Sequence, residues 1–214
     1  MDFEGFRDVN TYFSNHLQTR VIRDMDERRI FSDYASQLVA VLSDADWSPV
    51  FALAKMLKKL RENDGRVFLC GNGGSAANAV HLANDLVYAV AKKTGGGIDA
   101  VALSANPAVI TCLGNDIGYG EIFSEQLAVS GKKDDILIVL SGSGNSRNVV
   151  SAIETAHAKK MKTVAVLGFD GGKCKQIVSL PIHFAIDDMQ IAEDLQLVVG
   201  HMVMKWLQKE MLDS

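Results

Sequence analysis

The run Ile136-Leu137-Ile138-Val139-Leu140 offers no polar residue to turn toward water, and it is too short to be a helix. Such a run is a strand covered on both faces, the signature of a parallel sheet. It has companions: strand patterns at 66–70, 98–103, 135–140, 163–168 and 182–186 alternate with helical patterns near 75–92, 106–115, 119–129, 145–160 and 190–211. Parallel strands need crossovers and the helices supply them. The sequence therefore predicts an α/β chain whose sheet carries helices on both sides.

Before residue 66 the pattern is helical only. Phe3, Phe6, Phe13, Leu17 and Val21 recur at helical spacing, and Val50, Leu53, Ala54, Leu57 and Leu60 do so after Asp46-Trp47-Ser48-Pro49, a good helix start. Residues 1–45 are expected to form an N-terminal helical extension and residues 46–214 the α/β domain. With 48% apolar residues, 214 positions suffice for a buried core. The last helix is apolar on more than one face, through Leu195, Leu197, Val198, Val199, Met202, Val203, Trp206 and Leu207. Its cover is either the chain's own N-terminal helices or a second subunit, and a homo-oligomer is the preferred reading.

Two loops carry the chemistry. Cys70-Gly71-Asn72-Gly73-Gly74-Ser75 joins the first strand to a helix, so free N–H groups and the helix dipole meet there and attract an anion. Glycines at 73 and 74 let the backbone approach a ligand closely, and Ser75 can cap the helix and donate its hydroxyl. The second loop, Ser141-Gly142-Ser143-Gly144-Asn145-Ser146, leaves the strand Ile136–Leu140. Hydroxyls of Ser141, Ser143 and Ser146 can grip a phosphate without any cation, although Ser146 also reads as a plain N-cap. Neither loop is GxGxxG or GxxxxGK[ST], which disfavours the usual nucleotide folds.

A net charge of −4 leaves no basic footprint for nucleic acid. Three cysteines at unrelated spacings argue against a disulfide framework and for a reducing compartment. Met1-Asp2-Phe3-Glu4 lacks the features of a signal peptide, and no apolar run is long enough to cross a bilayer, so a cytoplasmic protein without a membrane partner is expected.

His81 and Asp85, four apart, share a face of the helix that begins at the first loop. Glu193 and His201 lie eight apart on the last helix, about 12 Å along its axis. Beside a phosphate loop these groups point to proton transfer or to a metal. Taken singly they also read as a solvated Asp85, a core His81 and a Glu193 that complements the helix dipole. His16, His157 and His183 lack such company and read as surface or packing residues.

The stretch CGNGGSAANAVHLANDL from Cys70, with Gly114-Asn115-Asp116, the second serine loop and Gly168-Phe169-Asp170-Gly171-Gly172, resembles the sugar isomerase (SIS) domain, and within it the bacterial phosphoheptose isomerases. The resemblance implies a three-layer α/β/α sandwich with a five-stranded parallel sheet, assembled as a homotetramer with sites between subunits. It implies a phosphorylated sugar as substrate, held by Ser75, Ser141, Ser143 and Ser146, with Asn72, Gly73, Gly74, Asp116 and Gly142 beside it. It implies isomerisation of sedoheptulose 7-phosphate to heptose 7-phosphate, which feeds heptose into lipopolysaccharide, capsule or surface-layer glycans. Asp85 is then the base and His201 the acid, with Glu193 an alternative base. One zinc ion per site falls to His81, Asp85, Glu193 and His201. The alternative is a non-catalytic SIS protein, such as a replication-initiation regulator. This chain departs from the family's usual residues: aspartate at 85 for glutamate, glutamate at 193 for glutamine, glycine at 142 for threonine and alanine at 89 for arginine.

Overall fold

The computed structural model describes residues 27–212. The helical spacing from Phe3 to Val21, and His16, lie outside the described residues. By internal contacts the chain divides into two units between Ala45 and Asp46. The described part of the first unit is a helix, α1 (27–44), with an Arg29–Asp33 pair at 3.6 Å one turn apart.

The second unit opens with α2 (Ser48–Glu62), whose Pro49 sits in the first turn, where its missing N–H has no partner to lose. The order thereafter is β1 (Arg66–Cys70), α3 (Gly74–Asn84), a π-turn (Asp85–Ala89), α4 (Ala91–Thr94), β2 (Asp99–Ala102) and α5 (Pro107–Asp116). A 3₁₀ turn (Tyr119–Glu121), α6 (Ser124–Ser130), β3 (Ile136–Ser141), α7 (Arg147–Ala158) and β4 (Lys162–Leu167) follow. α8 (Gly172–Ile177), β5 (Leu180–His183) and α9 (Met189–Glu210) complete the unit.

The five strands pair in parallel, in the order β2-β1-β3-β4-β5. Side chains alternate between the faces, which sorts the core into two halves. Phe68, Cys70, Leu137 and Val139 pack with Val149, Ala152 and Ile153 of α7, and with Leu127 of α6. Leu69, Ile138 and Leu140 turn the other way, toward α2, α3 and α9. The result is a three-layer α/β/α sandwich. β3, in the middle, is buried at every position, whereas the edge strand β2 is largely open.

The helix expected over 75–92 is interrupted at Asp85–Ala89, where the ladder widens to a π-turn and Val90 N bonds Asp85 O. Leu86 O leaves the ladder to accept from Ile98 N at 3.0 Å, and Gly97 lets that segment come against Val87 O. The run expected at 119–129 splits, because the Ser124 hydroxyl bonds both Glu121 O at 3.0 Å and the Glu121 carboxylate at 2.7 Å. α8 was hidden in what reads as a glycine loop: Gly171 (φ +83°) and Gly172 (φ +52°) turn the chain into it. On α9 the stripe Leu195, Val199, Val203 and Leu207 is buried by the chain itself, while Met202 stays 43% exposed.

Candidate active site

β1 and β3 are neighbours, yet the crossover after β1 leads to β2 on one side and that after β3 to β4 on the other. At such a switch point the loops diverge and leave a crevice at the strands' C-terminal ends. Both serine/glycine loops open there, because Cys70, the last residue of β1, pairs with Val139 near the end of β3.

The first loop is tied down by side chains. Gly71 is confined, since a Cβ there would run into Leu140 O and Ser75, and Gly73 takes φ +55°. Asn72 and Asn148 exchange hydrogen bonds at 2.9 and 2.7 Å, and Tyr119 donates to Asn72 Oδ1 at 2.9 Å. Gly73, not Ser75, is the N-cap of α3, and no side chain caps that end. Ser75 lies inside the first turn, with its hydroxyl toward α9. It accepts from Gln196 Nε2 at 3.0 Å and lies 3.5 Å from Glu193 Oε1. The Glu193 carboxylate rests against Gly74, where any side chain would collide with it.

The second loop is framed mainly by backbone. Ser141 Oγ accepts from Gly144 N at 3.0 Å, Gly142 O from Gly168 N at 3.0 Å and Gly144 O from Cys174 N at 2.9 Å. Gly144 has φ +64° and presses so closely on Gly171 that no Cβ fits. A side chain at 142 would meet Met189 Sδ. Ser143 Oγ accepts from Asn145 N at 3.4 Å. Ser146 holds the N-cap position of α7, without bonding its helix through its side chain.

α3 and α9 lie side by side: Glu193 meets Gly74, Gln196 meets Asn78, Gly200 meets Leu82, and Gln208 Nε2 donates to Ala89 O at 2.8 Å. This alignment brings His201 to His81 and Asp85. The two imidazole Nε2 atoms are 2.9 Å apart, and Asp85 Oδ2 lies 3.4 Å from His81 Nε2 and 3.5 Å from His201 Nε2. The histidine side chains are about half exposed, whereas that of Asp85 is 13% exposed. Asp85 sits where the π-turn begins, a distortion common at functional sites. These ligand atoms lie within 4.8 Å of one another, and two imidazole nitrogens with a carboxylate oxygen are a donor set that suits a divalent metal. Glu193, two turns earlier on α9, faces Gly74 and Ser75 instead.

Asp116 ends α5 exposed, and its carboxylate bonds Asn115 Nδ2 at 2.7 Å and the Cys112 thiol at 3.5 Å. Tyr119, three residues on, is what reaches the first loop. Tyr119, Asn148, Asn78 and Gln196 were all missed in the sequence. Gln196 carried a signal nonetheless, as an amide on the apolar stripe of α9. His157 and His183 are packing residues, bonded to Thr163 Oγ1 and Phe169 O at 3.0 Å each.

A crevice of loop hydroxyls and backbone N–H groups at a parallel-sheet switch point, with a two-histidine, one-carboxylate cluster along the same helix, marks an α/β protein equipped for acid–base or metal chemistry. The SIS domain pattern matches residues 30–168. A phosphoheptose isomerase of Vibrio vulnificus is 36% identical over 188 residues, 86% of this chain and 96% of the relative. The structure of a phosphoheptose isomerase from Francisella tularensis superposes with TM-score 0.80 at 27% identity, covering 87% of this chain and 98% of the other. One from Neisseria gonorrhoeae gives 0.70 at 29%, covering 90% and 99%. The chain belongs to the SIS-domain phosphoheptose isomerase family.

Proposed function

We propose that this protein is an isomerase that converts a phosphorylated ketose to its aldose, with sedoheptulose 7-phosphate and D-glycero-D-manno-heptose 7-phosphate as the pair. The observation that carries this reading is the spacing along α3. Ser75 and His81 are six residues apart, about 9 Å at 1.5 Å per residue. About eight bonds separate C1 of a heptose 7-phosphate from its phosphorus, and at about 1.2 Å per bond an extended chain spans the same distance. Phosphate at the loops thus brings the carbonyl end to the cluster.

The reaction moves a proton between adjacent carbons through an enediol. Asp85 takes the C1 proton while His201 protonates the C2 carbonyl oxygen. Collapse of the enediol returns the proton from Asp85 to C2, and the O1 hydroxyl gives its proton back to His201. His81, whose Nε2 lies 2.9 Å from that of His201, holds that ring's orientation. The anion is held by Ser75, Ser141, Ser143 and Ser146 with the α3 N-terminus, and Asn72, Gly73, Gly74, Asp116 and Gly142 line the sugar. A zinc ion would be held by His81, Asp85 and His201, with Glu193 turning from Gly74 to join them, and would supply Lewis-acid polarisation of the substrate oxygens.

A homotetramer with sites between subunits is part of the proposal, and the exposed Phe51 on α2, Val87 and Tyr88 on the π-turn and Met202 on α9 suit that assembly. The free thiols of Cys70, Cys112 and Cys174 suit the cytoplasm. Among the described residues no helix is long and apolar enough to cross a membrane. The regulator alternative is not favoured, since the relatives are named as isomerases and the acid–base set converges. Incubation with sedoheptulose 7-phosphate, followed by NMR with and without chelator, is expected to yield the aldose, more slowly after chelation. No turnover under either condition contradicts the proposal.

A further inference from the structure

Gln196 is 1% exposed, and each end of its amide meets α3. Oε1 accepts from Asn78 Nδ2 at 3.0 Å, and Nε2 donates to Ser75 Oγ at 3.0 Å. A leucine would fill an apolar helix face without the cost of burying an amide, so the amide is there for what it bonds.

The polarity of this chain of bonds is fixed from one end. Asn78 Nδ2 also donates to the Glu193 backbone carbonyl at 3.0 Å, and a carbonyl oxygen is an acceptor only. Asn78 therefore presents its NH₂ to Gln196, which answers with Oε1 and turns Nε2 toward Ser75. A hydroxyl has one proton; when it accepts from Gln196, that proton is left for another acceptor. The carboxylate oxygen Glu193 Oε1, at 3.5 Å, is the acceptor in reach, and it is distant for an O–H···O bond.

We propose that Gln196, set by Asn78, is a positioning residue that fixes the Ser75 hydroxyl as a donor to the substrate's phosphate. An ionised phosphate ester accepts only, and its charged oxygens accept more strongly than a neutral sugar hydroxyl, so a serine locked as donor is matched to that group. This inference rests on the placement of Ser75 in the phosphate grip.

The test is a double-mutant cycle of Gln196→Met and Ser75→Ala, read as the Kd for inorganic phosphate by calorimetry and as KM against kcat with sedoheptulose 7-phosphate. Gln196→Met is expected to weaken phosphate binding and raise KM about three- to tenfold, the worth of one hydrogen bond, with the loss falling on KM. In the Ser75→Ala background it is expected to add nothing. Equal losses in both backgrounds, or no loss where Ser75→Ala alone weakens binding, overturn the positioning role. A Ser75→Ala protein that binds phosphate as the parent does shows instead that the grip excludes Ser75, and the role fails with it. If Gln196→Met does not fold by thermal melt, Asn78→Ala is measured, with about a twofold loss expected and the same dependence on Ser75.

Discussion

The two ends of the α3–α9 pair are built on different principles. At the loop end, neutral donors are held by neighbours: Asn72 by Asn148 and Tyr119, Ser75 by Gln196, and the second loop by backbone bonds to residues 168–174. Two turns along, Asp85, His81 and His201 converge through ionisable side chains alone, within 3.5 Å of one another. On the proposed assignment, binding is shared among many small contributions, whereas chemistry is concentrated in few atoms. Substitutions at the first end should cost factors in KM, and those at the second should cost orders of magnitude in kcat.

The sharpest break of that contrast is Asp85→Asn, which keeps shape and removes the base; kcat is expected to fall about a thousandfold or more with KM little changed, and His201→Ala about a hundredfold. Steady-state kinetics on folded variants decide it, and a KM effect alone would erase the division. Gly144→Ala comes next. Its φ of +64° and its approach to Gly171 leave no room for a methyl, so a loss of about 1–3 kcal/mol in thermal stability is expected, with weaker phosphate binding. Removing one hydroxyl, by Ser143→Ala or Ser146→Ala, is milder: KM is expected to rise about three- to tenfold. The smallest effect is expected at Cys112, which belongs to neither end. Asp116 raises its thiol above the usual range and burial pushes Cys174 up to about 11, with Cys70 raised further still. Iodoacetamide on the folded protein should therefore label Cys112 alone, slowly near neutral pH and faster as pH rises toward its raised pKa, as mass spectrometry would show.

Much of this was legible in the chain. Continuous apolar runs placed the central strands β1, β3 and β4, because a strand buried on both faces leaves no other pattern; the edge strands β2 and β5 were found as well, although β5 runs from Leu180 to His183 rather than over 182–186. His81 and Asp85 were readable as a pair from their spacing, and His201 joined them through the family resemblance. What stayed hidden depends on tertiary approach. The π-turn at Asp85 accompanies a bond from Ile98 N back to Leu86 O, a contact local periodicity does not contain. Likewise, capping by Ser75 was a sound local rule that lost to Gln196, 121 residues away. Glu193 and His201 share a helix, yet their side chains lie against opposite ends of α3.

The most direct test is a crystal structure of the protein with sedoheptulose 7-phosphate bound. The phosphate should lie within hydrogen-bonding distance of the hydroxyls of Ser75, Ser141, Ser143 and Ser146, with C1 and C2 beside Asp85 and His201. A phosphate found instead at the His81–His201 pair, with the serine loops empty, would contradict the account.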